Sequence, residues 1–274
     1  MAKKPAGKTA PKKAPKRANL RRMRILLTND DGINAPGMKV LQRIAKALSD
    51  DVWVVAPETE HSGAGHSLTL TDPLRLRKIS ARKFAVQGTP TDCVMMAMNQ
   101  VMVDKRPDLL LSGVNRGANM GEDVTYSGTI AAAMEGTLVG VPSIALSQSF
   151  ANRVVMHWPT AEKHAGDIIR RLVALGWHKD VLMNVNFPDV LPGDVKGVEV
   201  CRQGRRDFTA LNIEERIDAR ERPYYWIGFR PIQGAPKAGT DLAVTEAGRI
   251  AITPLHLDLT ENKALKQLKA AFEG

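Results

Sequence analysis

From Met23 onward the chain alternates short apolar runs with polar turns and longer stretches of helical spacing. Arg24-Ile25-Leu26-Leu27-Thr28 has the pattern of a buried strand and ends in Asn29-Asp30-Asp31-Gly32, a turn composition. Pro36 opens a helix whose apolar positions Met38, Leu41, Ile44, Ala45 and Leu48 share one face. Val52-Trp53-Val54-Val55-Ala56 is a second strand, closed by Pro57. Strand, loop, helix and strand in immediate succession make a βαβ unit, which predicts parallel neighbours in a sheet.

The rhythm continues. Thr89-Pro90-Thr91-Asp92 marks a helix start, with a capping Thr, Pro at the first position and an acid at the positive end of the dipole. Leu109-Leu110-Leu111 predicts a buried strand running into the turn Ser112-Gly113-Val114-Asn115. Ser127-Gly128-Thr129 precedes the helix-forming run Ile130 to Glu135. Pro142 to Leu146 reads as a further strand, and residues 160–175 as an amphipathic helix stopped by Gly176. The expectation is a doubly wound, Rossmann-like α/β fold in three layers around a parallel sheet. After about residue 185 the βα rhythm loosens. Val198-Glu199-Val200 and Tyr224-Tyr225-Trp226-Ile227 read as strands of a hairpin or extension. The stretch of about 200–245 is therefore expected to be an extended C-terminal β-arm, serving as an oligomerisation arm or a lid. Ile250 to Leu255 predicts a late strand, and a C-terminal helix follows from about Asn262.

Composition changes this picture at one place. The net charge of +10 invites a nucleic-acid reading, but nine of the 39 basic residues lie within residues 1–22, which hold no acid. The remaining 30 basic residues face 29 acidic ones, so the body is close to neutral. Two units follow: a disordered Lys/Ala/Pro tail over 1–22 and an α/β domain over 23–274. The tail reads either as a solvated extension or as an electrostatic contact for RNA or anionic surfaces. No apolar run approaches the roughly 18 residues of a membrane helix, and no secretory signal pattern is present. Cys93 and Cys201 stand in no metal-type spacing. A soluble, cytoplasmic protein is expected.

In open α/β sheets the working site lies beyond the carboxyl ends of the strands, where three polar turns fall here. Asp30 and Asp31 are adjacent carboxylates whose mutual repulsion calls for a compensating charge, such as a hard divalent cation. Taken alone, Asp-Asp-Gly reads rather as a solvated turn with a capping Asp, and it gains its weight from the segments around it. His61-Ser62-Gly63-Ala64-Gly65-His66-Ser67 follows the second strand. Its small residues let amides approach an anion, and Ser62 offers a hydroxyl ligand; a flexible small-residue loop is the other reading. Ser112 through Gly121 carries Asn115 and Asn119, and the helix start Ser127-Gly128-Thr129 supplies free amides and hydroxyls suited to phosphate oxygens.

These segments together carry a resemblance. Arg24-Ile25-Leu26-Leu27-Thr28-Asn29-Asp30-Asp31-Gly32, Ser62-Gly63, Gly88-Thr89-Pro90-Thr91-Asp92-Cys93-Val94, Ser112-Gly113-Val114-Asn115, Tyr126-Ser127-Gly128-Thr129 and Ala132-Ala133-Met134-Glu135-Gly136 occur in the order of the SurE family of nucleotidases. Gly239-Thr240-Asp241 and Ile252 through Thr260 extend the match. The chain thus resembles SurE proteins from Met23 to its C-terminus.

The resemblance implies a phosphomonoesterase that cleaves 5′- and 3′-nucleoside monophosphates, and sometimes short polyphosphate, with one divalent ion, magnesium or manganese. It implies Asp30, Asp31, Ser62 and Asn115 as metal ligands and Asn119, Ser127, Gly128 and Thr129 around the phosphate. Asp30, Asp31 and His256 are the catalytic candidates, His256 as a proton donor to the leaving ribose oxygen. A core or hydrogen-bonding His256 is the other reading of that residue. It further implies a homodimer or homotetramer built through exchanged C-terminal arms. The competing class is a non-catalytic nucleotide- or RNA-binding protein. It would need a basic, aromatic-bearing face, whereas the body is nearly neutral with 5% aromatics.

Overall fold

The computed structural model describes residues 20–150, 155–206, 211–229 and 235–273. The basic stretch 1–19 of the expected tail lies outside the described residues, while Leu20–Arg22 form a single 3-10 turn leading into the domain.

The first βαβ unit forms as its pattern predicts: β1 (Arg24–Thr28), α1 (Pro36–Leu48) and β2 (Asp51–Pro57), with β1 and β2 parallel. β3 (Arg75–Ser80) and β4 (Lys83–Gln87) follow as an antiparallel pair at the sheet edge. Every residue of β3 is exposed. An edge strand with one solvated face carries little apolar signal, which is why the hydrophobic pattern passes over it. α2 (Pro90–Met96) begins with the expected cap. The Thr89 hydroxyl accepts from the Asp92 amide, and the Asp92 carboxylate accepts from the Thr89 amide in return.

β5 (Leu109–Arg116) is longer than its apolar core, since Ser112–Arg116 continue as strand where a turn is expected. Gly113 permits this. A Cβ there would lie 2.2 Å from the Leu146 carbonyl oxygen. α3 (Asp123–Tyr126), α4 (Gly128–Leu138), β6 (Ser143–Gln148), α5 (Trp158–Leu175) and β7 (Val181–Phe187) complete the wound portion. Beyond it come β8 (Val198–Val200), the hairpin of β9 (Leu211–Ile217) and β10 (Pro223–Phe229), α6 (Asp241–Glu246), β11 (Ile250–His256) and α7 (Asn262–Phe272).

The main sheet has nine strands in the order β3-β4-β2-β1-β5-β6-β7-β11-β8. Its centre from β4 to β7 is parallel. β3 and β11 run antiparallel to their inner neighbours, so the sheet is mixed rather than wholly parallel. β8 is an extension and not part of the hairpin. It extends the main sheet beside β11, and β10 pairs with β9 alone. The arm's strands therefore span a narrower range than 200–245.

Alternate side chains of the central strands enter two cores. Ile25, Leu27, Leu109, Leu111, Ile144 and Leu146 face α1 and α5. Leu26, Leu110 and Ala145 face α2 and α4. Helices therefore cover both faces, and central strands buried on both sides read as continuous apolar runs. The arm and α7 stand apart from these cores: Ile213, Ile217, Tyr225, Trp226, Ile227, Leu268 and Phe272 are all exposed.

Candidate active site

β1 has β2 on one side and β5 on the other, so the chain reverses its direction of winding between β1 and β5. The carboxyl ends of these two strands open the crevice where α/β sheets hold their ligands. Asn29-Asp30-Asp31 leave β1 at this point, and Asn115-Arg116 end β5 beside them.

Asp30 is 4% exposed and firmly held. The Thr129 hydroxyl donates to its Oδ1, the Thr129 backbone N–H also stabilises the carboxylate, and the Asp30 carbonyl accepts from His61 N at 2.8 Å. Gly128 lies so close that a Cβ there would sit 2.8 Å from Asp30 Cβ and 2.9 Å from Pro90 Cγ. Only glycine lets the start of α4 approach the carboxylate in this way. Asp31 accepts from Arg116 N at 3.1 Å, which ties β1 to the end of β5.

Positive charge beside the pair is slight: the Arg116 guanidinium is the weakest of the influences on Asp31. Burial pushes the Asp30 carboxyl above its ordinary range despite the Thr129 hydrogen bonds. Burial first, and the Asp30 charge second, push Asp31 to about 6. Glu60 adds a third negative charge that raises both. At the base of the crevice Thr28 Oγ1, Asn29 Oδ1 and Ser112 Oγ are buried with no hydrogen-bond partner among the described residues.

Ser62 follows the residue whose amide bonds the Asp30 carbonyl, so the second loop is seated on the first. The Ser62 hydroxyl is exposed and donates to Glu60 Oε1 at 2.8 Å. The Asn115 amide nitrogen donates to the Gly117 carbonyl at 2.9 Å, which turns its oxygen end into the available donor. Two carboxylates, a hydroxyl and an amide oxygen form a hard-donor set suited to magnesium or manganese. Among the described residues no three His, Cys, Asp or Glu side chains converge as a metal cluster. A site of this mixed composition needs only two of them.

The expected phosphate residues divide. Ser127 caps α4, accepting from Ile130 N at 3.1 Å, so its hydroxyl proton stays available to an anion. Gly128 opens the same helix. The Thr129 hydroxyl goes to Asp30 instead of standing open to a phosphate. Asn119 sits in a buried amide network. Its N–H donates to Asn186 Oδ1 at 2.9 Å and its side chain to Ser147 Oγ at 2.9 Å, while its carbonyl accepts from Asn184 and Asn186.

His256 is not brought to this site within the chain. Leu27, Leu111, Ile144, Met183 and Pro254 share one row across the sheet. Asp30 lies three residues beyond that row at the carboxyl end, and His256 lies two residues beyond it at the opposite end. The separation is on the order of 20–25 Å at the usual strand spacings. The β7–β11 pairing is antiparallel, which carries the end of β11 to the edge of the sheet opposite Asp30 in the same chain. His256 instead accepts from the Asp258 amide at 2.9 Å.

Sequence reasoning passed over Glu60, Ser147, Asn184 and Asn186. The two asparagines were detectable, because amides inside the apolar run Val181 to Phe187 can be buried only with hydrogen-bond partners.

Comparison with known proteins gives one family. The family model for Survival protein SurE matches residues 25–210. The 5'-nucleotidase SurE of Parvibaculum lavamentivorans is 59% identical over 252 residues, covering 91% of each chain. That of Caulobacter vibrioides is 57% identical over 255 residues, covering 92% of this chain and 97% of its own. The crystal structure of the SurE protein from Aquifex aeolicus superposes with a TM-score of 0.78 at 41% identity, over 90% of this chain and 98% of that one. With its site assembled at the β1–β5 crevice and its relatives aligned almost end to end, the chain belongs to the SurE family.

Proposed function

We propose that the protein is a phosphatase of nucleoside monophosphates, 5′ and 3′, with short polyphosphate as a further substrate, and that it requires one divalent ion. The observation that carries this reading is the mutually repelling pair of buried Asp30 and half-buried Asp31 at the winding reversal, beside the open end of α4. The name of these relatives, 5'-nucleotidase SurE, supports the same reaction class.

Asp30, Asp31, Ser62 and Asn115 would hold the ion. When bound, it supplies charge neutralisation for a phosphate dianion and lowers the pKa of a water. Asp31, partly exposed and held by the Arg116 amide, orients the attacking water and takes its proton. Asp30 is fixed by Thr129 and serves as the rigid ligand. The Ser127 hydroxyl and the first amides of α4 face the equatorial phosphoryl oxygens, where negative charge grows in the transition state. Asn119 is oriented by its bonds to Ser147 and Asn186, and the second N–H of its side-chain amide is the donor it would offer a phosphate oxygen. His256 has no part in this scheme. The exposed apolar residues of β9, β10 and α7 support association of copies into a homodimer or homotetramer.

The test is phosphate release from a panel of 5′- and 3′-nucleoside monophosphates and tripolyphosphate, with chelator, magnesium or manganese. Release that requires a divalent ion is expected. Equal release in chelator removes the metal, and no release from any substrate by metal-loaded protein removes the enzyme.

A further inference from the structure

Gly239-Thr240-Asp241 matches the family pattern, yet the site just described gives it no role. Asp241 is fully buried, and its carboxylate accepts three backbone N–H groups from two segments. Oδ1 takes Gly204 N at 2.7 Å and Leu242 N at 2.8 Å, and Oδ2 takes Gly121 N at 3.0 Å. Gly121 lies in the loop between Asn115 and Ser127, which joins the two halves of the site. At one end Arg116 N bonds Asp31, and past the other Thr129 bonds Asp30.

The middle of this loop is held from the root of the arm. Gln203 donates to the Gly121 carbonyl at 2.7 Å. Arg206 N donates to Glu122 Oε2 at 2.7 Å, and the Arg206 guanidinium pairs with Asp123. The two strands of the root are closed on each other by Arg202 N to the Gly239 carbonyl at 3.1 Å and Asp241 N to the Arg202 carbonyl at 2.9 Å. A Cβ on Gly204 would lie 2.7 Å from Asp241 Oδ1, so the backbone there must run directly against the carboxylate.

We propose that Asp241 is a positioning residue. It latches the root of the β9–β10 arm to the 115–127 loop and so holds Asn115 and the α4 start in register for substrate. This rests on the phosphatase reading above. The chemistry of the contact argues for a carboxylate in particular. Both of its oxygens accept, whereas an asparagine offers one oxygen and turns an NH2 toward another N–H, so one of the two segments must let go.

The experiment compares wild type with Asp241→Asn and with the double variant Gln203→Ala/Arg206→Ala, all full-length and at a temperature where each is folded. The readouts are steady-state kinetics on AMP, manganese affinity by calorimetry, and amide hydrogen exchange. The expected result for Asp241→Asn is a KM raised roughly tenfold, the scale of one charge-assisted hydrogen bond, with kcat within about twofold. Manganese affinity should fall by at most about tenfold, because of the four proposed ligands only Asn115 lies on the loop, while Asp30, Asp31 and Ser62 keep their places. Exchange should quicken in 117–123 but not in β1 or β5. A merely structural role would leave KM and loop exchange at wild-type values in the folded variant, and that result overturns the latch. If Asp241→Asn does not fold, the double variant decides by the same readouts. If wild type itself releases no phosphate, the phosphatase reading fails, and loop exchange alone decides the latch.

Discussion

The carboxyl-end site and the C-terminal arm are incomplete in opposite ways. The site has cover with little compensation: Asp30 is buried, Asp31 is pushed to about 6, and among the described residues no cationic side chain bonds either carboxylate. The arm has surface without cover, with Tyr225, Trp226 and Ile227 at 57%, 60% and 70% exposure on a two-stranded ribbon. A hairpin of two strands is marginal alone, so its order depends on what it packs against. Each deficit points to its complement, a divalent cation for the one and another protein surface for the other. Stability and activity should therefore respond in opposite ways to changes in the two regions.

The largest effect belongs to the site. Asp30→Asn keeps the shape but removes a charge, and phosphate release should fall by more than about a hundredfold, beyond what losing a mere outer partner of a metal site costs. Steady-state assay with saturating manganese checks this, and near-normal turnover would break the contrast at its root. Second comes the shared core. Leu111→Ala, at a fully buried position between β1 and β6, should cost about 3 kcal/mol of unfolding free energy in urea.

Third, Asp31→Asn should stabilise the metal-free protein while impairing it as a phosphatase. The Asp31 pKa is raised from 3.8 to about 6 in the fold. The folded state thus holds the proton more tightly than the unfolded chain, and stability drains away as pH rises from about 4 through 6. At pH 7 the variant should gain on the order of 2 kcal/mol, and the gain should vanish below pH 4. Denaturant titrations across that range decide it. The smallest effect belongs to the arm. Ile227→Ser should change the unfolding free energy of a protomer by less than about 0.5 kcal/mol yet lower the mass seen in sedimentation. A fall in protomer stability with unchanged mass would show that the arm folds back on its own chain.

The contrast also explains which features were legible beforehand. β1, α1, β2 and α2 were readable because local pattern and tertiary role agree there: apolar triplets lie where both faces are covered, and Thr89 with Asp92 caps the helix it begins. Asp30 and Asp31 were readable because adjacent carboxylates at a strand end are chemically expensive. β3 was hidden by its solvated surface, and β7 by the two asparagines that interrupt its apolar run. Hairpin and extension stayed undecided for residues 198–200 and 223–229 because the two look alike in isolation, although one joins β11 and the other β9.

Taken by itself, the sequence determined the fold class, the acidic pair, the helix caps and the family pattern, all of which depend on residues near one another in the chain. Only the tertiary structure decided that Thr129 serves Asp30, that Asn119 is locked by Asn184 and Asn186, that Glu60 joins the acidic cluster, and that Asp241 grips Gly121. It also decided that His256 stands at the far edge, because a strand's direction in a sheet is set by its neighbour. Hydrogen bonds and charges act over a few ångströms of space, and the partners here lie up to 120 residues apart along the chain.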